Sequence, residues 1–250
     1  MRNIRLILEY NGSSFFGFQK QPQAPTIQEA LESALSRLLN QKTKIQAASG
    51  RTDTGVHAEY QVVNFKTAHG MPLPQIQKGL NALLPVPIAV KKVTAMPVDF
   101  HARYHARSKM YEYRIWNAPV RSPLIERAVH IPGKLDTGKI KKGMLILKGR
   151  HDFRSFASSR GPSYPDKNMV RTISRFQVNR KGNLLTFRVE ADGFLYHMVR
   201  NLMGALIELG KGKITLSELR KILEGKDRRL AGSMAPAEGL TLTRVTYEIV

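Results

Sequence analysis

The stretch Thr43–Phe65, "TKIQAASGRTDTGVHAEYQVVNF", holds the key to this chain. Its ends, "TKIQAA" and "YQVVNF", carry the apolar pattern of strands, and between them runs Ser49–Ala58, "SGRTDTGVHA". Two neighbouring strands need only a short turn, so a longer connection is a common place for function. Gly50 and Gly55 allow backbone angles and close approaches that a side chain forbids. Asp53 sits between them as a lone carboxylate in a strongly basic chain. Spacing alone leaves it open to being a turn former, a metal ligand or a reactive group. The stretch has no Walker lysine and no G-x-G-x-x-G, which speaks against phosphate cradling. A metal site would have to combine Asp53 with His57, His101 and His105, but these lack a metal-ligand pattern, and no metal is expected.

Working outward, "IRLILEY" (4–10) places Ile4, Leu6, Leu8 and Tyr10 on one face of a strand. Thr26 and Glu29 form a T-x-x-E helix start, followed by an apolar stripe of Ile27, Leu31, Ala34, Leu35 and Leu38. "PQIQKGLNALL" is a second helix with Ile76, Leu80, Leu83 and Leu84 inward, and "IAVKKVTAM" is a strand. The order so far is β-α-β-β-α-β. The second half repeats it. "KMYEYRIW" (109–116) is a strand with Tyr111, Tyr113 and Ile115 on one side, and "TGKIKKGMLIL" a helix with Ile140, Met144 and Leu147 inward. "VRTISRFQV" and "LLTFRVEA" are strands flanking the hairpin turn "NRKGN". "FLYHMVRNLMGALIELG" is a strongly apolar helix, a shorter one follows capped by Thr215 and Glu218, and "GLTLTRVTYEIV" ends the chain as a strand. The expected class is α+β, with two ferredoxin-like halves, 1–104 and 105–250, built on mostly antiparallel sheets. The joint is expected near "HARYHARS" (101–108), and "SSRGPSYPDKN" (158–168) reads as a surface loop.

Composition narrows the function. Forty Lys and Arg against nineteen Asp and Glu leave a formal charge of +21 over 250 residues. Such an excess opposes compaction by self-repulsion and points to a polyanionic partner. The absence of cysteine excludes disulfides, thiolate metal sites and cysteine nucleophiles, and is compatible with a reducing cytoplasm. The opening "MRNIRLILEYNG" lacks the apolar core of a signal peptide, and "NALLPVPIAV" is too short to span a bilayer, so a soluble, cytoplasmic protein is expected.

"GRTDTGVHA" resembles the signature of the tRNA pseudouridine synthase A family, in which the aspartate is catalytic. The likeness continues in family order through "LEYNGSSFFGFQKQP" with "TIQEALESAL", "KMYEYRIWN", "GFLYHMVRNLMGALIELGKG" and "APAEGLTLTRVTYE". It departs at Phe18, where the family usually has tryptophan, and over about 118–168, where no motif matches. The resemblance implies isomerisation of uridine to pseudouridine in the anticodon stem and loop of tRNA, without a cofactor, by a homodimer. It implies Asp53 as the catalytic carboxylate and Tyr111 as the ring stacked on the target uracil. Arg200 becomes the active-site cation paired with Asp53, and Arg51 a residue that displaces or replaces the base. Gln19, Gln21 and His57 fall near the RNA, and the site as a whole falls in a central cleft. The alternatives are a non-catalytic RNA-binding protein on the same fold and a metal-dependent nuclease.

Overall fold

The computed structural model describes residues 1–159 and 168–248, so most of the surface loop expected at 158–168 lies outside the described residues. In chain order the elements are β1 (Arg2–Tyr10), α1 (Ile27–Leu38), β2 (Ile45–Ala48), β3 (His57–Thr67), α2 (Leu73–Leu83), β4 (Ile88–Met96), β5 (Ala106–Trp116), β6 (Val129–His130), α3 (Thr137–Leu147), β7 (Gly149–Asp152), β8 (Val170–Lys181), β9 (Leu184–Ala191), α4 (Met198–Gly210), α5 (Leu216–Gly225) and β10 (Leu240–Tyr247). Mixed α and β elements with mostly antiparallel pairing agree with the expected class. The chain forms two compact units, Met1–Arg107 with the chain from Thr241 on, and Ser108–Leu240.

In the first unit β1 lies antiparallel to both β3 and β4, and β2 antiparallel to β3, giving the order β4-β1-β3-β2. The alternation read from the sequence places Ile4, Leu6, Leu8 and Tyr10 in the core. Ile27, Leu31, Ala34 and Leu35 of α1 and Ile76 and Leu80 of α2 are buried as their spacing requires. Each such Leu or Ile contributes about 1.5–3 kcal/mol by leaving water. Thr26 caps α1 by accepting from the Glu29 N–H at 3.4 Å, while the Glu29 carboxylate pairs with Lys20 at 3.1 Å. One edge of the long strand β3 is shared lengthwise. Its later residues, Val63 to Phe65, pair with β2, and its first two, His57 and Ala58, pair in parallel with Thr241 and Leu242 of β10. The final strand, read from the sequence as the sixth element of the second half, is thus a neighbour of the strand that follows the Asp53 loop.

In the second unit β5, β9, β8 and β7 pair antiparallel in that order, and β6 runs parallel beside β5. Tyr113 and Ile115 are buried on β5, and Ile140, Met144 and Leu147 on α3, as expected. Helix α3 packs on α4 and α5. Gly143 permits the close crossing, since a Cβ there would stand 2.4 Å from Leu209 Cδ2. Thr215 and Glu218 close a complete capping box on α5. Two short strands, β6 and β7, were not expected. Helix α4 starts at Met198 and not at Phe194, because His197 takes a left-handed φ of 61° and breaks the helical path. Among the described residues, no helix is long and apolar enough to cross a membrane.

Candidate active site

Asp53 rides on the Ser49–Val56 connection, half-buried and held by the residues beneath and beside it. The first anchor is a buried polar hub. Gln61 Nε2 donates to the Gly50 carbonyl at 2.8 Å and to Tyr10 Oη at 3.4 Å, and its Oε1 accepts from Ser49 Oγ at 2.6 Å. The phenol also shares a hydrogen bond with Thr52 Oγ1, 2.8 Å away. Desolvation pushes the Tyr10 pKa up to about 12, against the opposing hydrogen bonds from Thr52 and Gln61, so the phenol stays neutral.

The second anchor is the strap Gly12–Phe18. Phe18 N–H donates to the Thr52 carbonyl at 3.0 Å, and Gly55 N–H to the Phe15 carbonyl at 3.4 Å. Two glycines make the approach possible. Gly17 has φ +87°, and a Cβ on it would lie 2.8 Å from Thr52 O; one on Gly12 would lie 2.0 Å from Val56 O. The residues on either side of Asp53 are therefore fastened in backbone and side chain, which pre-positions the carboxylate.

His57 is 1% exposed, and its Nδ1 accepts from the Gly12 N–H at 3.2 Å. A ring this deep in the core anchors the strap. Arg51, Gln19 and Gln21 are exposed, and Gln21 Nε2 donates to the Phe16 carbonyl at 2.7 Å. Phe18, at the position where an aromatic was noted, is buried.

The second unit carries Tyr111 and Arg200. Tyr111 lies on β5 opposite Val189 of β9 and is 8% exposed, with its ring edge-on to Phe194 at 5.2 Å between centroids. Arg200 is half-buried in the first turn of α4. Its Nε donates to the Ala235 carbonyl at 2.8 Å, and its own carbonyl accepts from the Ala235 N–H at 3.1 Å. The same chain segment is pinned again where Tyr113 Oη donates to the Pro236 carbonyl at 2.9 Å. Burial is the main force raising the Tyr113 pKa; Glu238 adds to it, and Arg200 opposes it. The segment fits against α4 only because residue 204 is glycine, where a Cβ would stand 2.0 Å from Ser233 O.

Sequence reasoning did not single out Tyr10, Gln61, Gly12, Gly17, Gly204 or Ala235 as supports. The two glycines at 12 and 17 were the available signal, because glycine in an ordered loop marks a close backbone approach. Among the described residues no cluster of three or more His, Asp or Glu side chains could hold a metal ion. His101 and His105 instead order their own turn: His101 Nδ1 accepts from the Arg103 and Tyr104 N–H groups at 3.2 and 3.3 Å.

Residues 6–105 and 144–248 match the family described as tRNA pseudouridine synthase. The chain is 42% identical over 248 residues to tRNA pseudouridine synthase A of Acetivibrio thermocellus, covering 99% of this chain and 100% of the relative. It is 43% identical to the protein of that name from Geobacillus kaustophilus, covering 99% and 95%. With the one from Bordetella petrii the identity is 41% over 99% and 92%. Among solved structures, an archaeal box H/ACA sRNP Nop10-Cbf5 complex aligns with 94% of this chain and 58% of that one, at a TM-score of 0.37 and 14% identity, too weak a likeness to bear on fold or function. By whole-length identity and by the family match across both units, this chain belongs to the tRNA pseudouridine synthase family.

Proposed function

We propose that the protein converts uridine to pseudouridine in the anticodon stem and loop of tRNA, with Asp53 as the reactive carboxylate. The observation that carries this reading is family membership over nearly the whole chain, with the signature aspartate kept on a doubly anchored loop. The bond from the ribose to the ring nitrogen breaks and one from the same sugar carbon to a ring carbon forms. That carbon loses a proton and the nitrogen gains one. Atoms and oxidation state are conserved, so the chemistry calls for no cofactor. The target base leaves its stack first, at a cost of a few kcal/mol.

In this reading the Asp53 carboxylate acts as nucleophile or base. Tyr111 presents its ring to the uracil. Arg200 serves as the active-site cation, and the Ala235 carbonyl on its Nε supports that role by holding the guanidinium. Arg51, exposed and two residues from Asp53, displaces or replaces the flipped base. Gln19 and Gln21 are exposed as contacts to the RNA require. The charge of +21 suits a polyphosphate partner. The two halves, 1–104 with the aspartate loop and 105–250 with the tyrosine strand and arginine helix, are ferredoxin-like lobes, and the enzyme works as a cytoplasmic homodimer. Incubation with an unmodified tRNA transcript, without added metal, followed by mapping of pseudouridine tests the reading. Conversion at uridines of the anticodon arm is expected; an unchanged transcript, or a cleaved one, refutes it.

A further inference from the structure

The turn at His101–His105 holds an exposed aromatic that the chemistry above does not use. Tyr104 is 73% exposed, yet its surroundings are ordered. Its ring stacks on His101 at 4.3 Å between centroids and 23° between planes, and the Arg103 guanidinium lies 5.7 Å from its centroid. The turn beneath is clamped from three sides. Buried Asn3 donates to the Phe100 carbonyl at 2.8 Å, buried Asn64 accepts from the Ala102 N–H at 3.0 Å, and Tyr247 Oη donates to the Ala102 carbonyl at 2.7 Å. Two backbone N–H groups aimed at Nδ1 fix the His101 ring. Desolvation, then His105 and Arg103, hold its pKa below the usual histidine value, leaving a neutral ring suited to stacking.

A large aromatic kept in the open by a rigid turn, layered with an imidazole and edged by a guanidinium, has the chemistry that takes up a nucleobase face. A paired base has both faces covered by its neighbours, so the fitting ligand is unpaired. We propose that Tyr104, backed by His101 and flanked by Arg103, is a second base-stacking platform that receives an unpaired nucleobase of the RNA substrate other than the reacting uridine. This rests on the reading of the chain as a tRNA-modifying enzyme.

The test measures the affinity of wild type, Tyr104→Ala and Tyr104→Phe for one unmodified tRNA transcript, with pseudouridine formation by the wild type followed on the same RNA. Loss of one stacked base corresponds to a weakening of about 5- to 150-fold in Tyr104→Ala, with Tyr104→Phe within about twofold of wild type. Equal thermal melting of the variants is expected, because the ring is solvent-exposed. Unchanged affinity in Tyr104→Ala overturns the platform, and so does a Tyr104→Phe as weak as Tyr104→Ala, which would mark a hydroxyl contact. A wild type that makes no pseudouridine sinks the enzymatic reading; one that makes it, beside a Tyr104→Ala that binds normally, sinks only the platform.

Discussion

Tyr10 shows how much of the site depends on one hydroxyl. Its phenol links Gln61 to Thr52, the residue just before Asp53, in a space without water access. Tyr10→Phe leaves the Thr52 hydroxyl without its phenol partner, a loss of about 1–3 kcal/mol for a buried group. Turnover is expected to fall with little change in KM, since the loop shifts and the RNA contacts do not; equal turnover would deny the hub its positioning role. The same residue sets a pH limit. Tyr10 has its pKa raised from 10 to about 12, and burial raises those of Tyr113 and Tyr247 as well. Above pH 10 the unfolded chain has released these protons while the folded one keeps them, so stability declines as pH rises through that window. Urea unfolding at graded alkaline pH should show the decline, and Tyr10→Phe should make it shallower.

At the scale of elements, α4 and the segment after α5 behave as one part. Ala235 exchanges hydrogen bonds with both the backbone and the side chain of Arg200, Pro236 receives Tyr113, and Ser233 crosses α4 at Gly204. Gly204→Ala places a methyl group where a carbonyl oxygen stands 2.0 Å away. Overpacking of this kind destabilises by about 1–3 kcal/mol. A lower urea midpoint is expected, together with a drop in activity larger than the drop in tRNA affinity, because the Ala235 carbonyl leaves the Arg200 guanidinium. A variant as stable and active as wild type would show that the segment does not position Arg200. The elements legible in the sequence were those with local signatures: β1 by alternation, α1 and α5 by their Thr–Glu starts, α3 by its apolar spacing. Strands β6 and β7 were not legible, because "VH" and "GRHD" are too short and polar to carry a period. The first turn of α4 was misplaced because "FLY" continues the apolar run, whereas His197 adopts a left-handed angle that no local pattern announces.

Across the molecule, the division between what could and could not be read follows the distance along the chain. Asp53 drew attention because its glycines and its isolation from other carboxylates are local facts, while its catalytic role came only from the family resemblance. Its support from Tyr10 was hidden because that residue lies 42 positions from Thr52 in sequence, and the Ala235 partner of Arg200 was hidden in the same way, 35 positions away. The anchoring contact of His57 was hidden for the same reason, since only the fold brings Gly12 to its ring. The pairing of β10 with the start of β3 is likewise non-local, and no alternation in "GLTLTRVTYEIV" names its partner. In the proposed function, the contacts around Tyr10 and Gly12 present a carboxylate at residue 53 to a flipped uridine. The most direct measurement is pseudouridine formation by Asp53→Asn on an unmodified tRNA transcript, paired with the affinity of the variant for that RNA. The amide keeps the size of the side chain and removes its charge, so product should disappear while affinity stays within a few-fold of wild type. Pseudouridine appearing at the wild-type rate would contradict the role of Asp53.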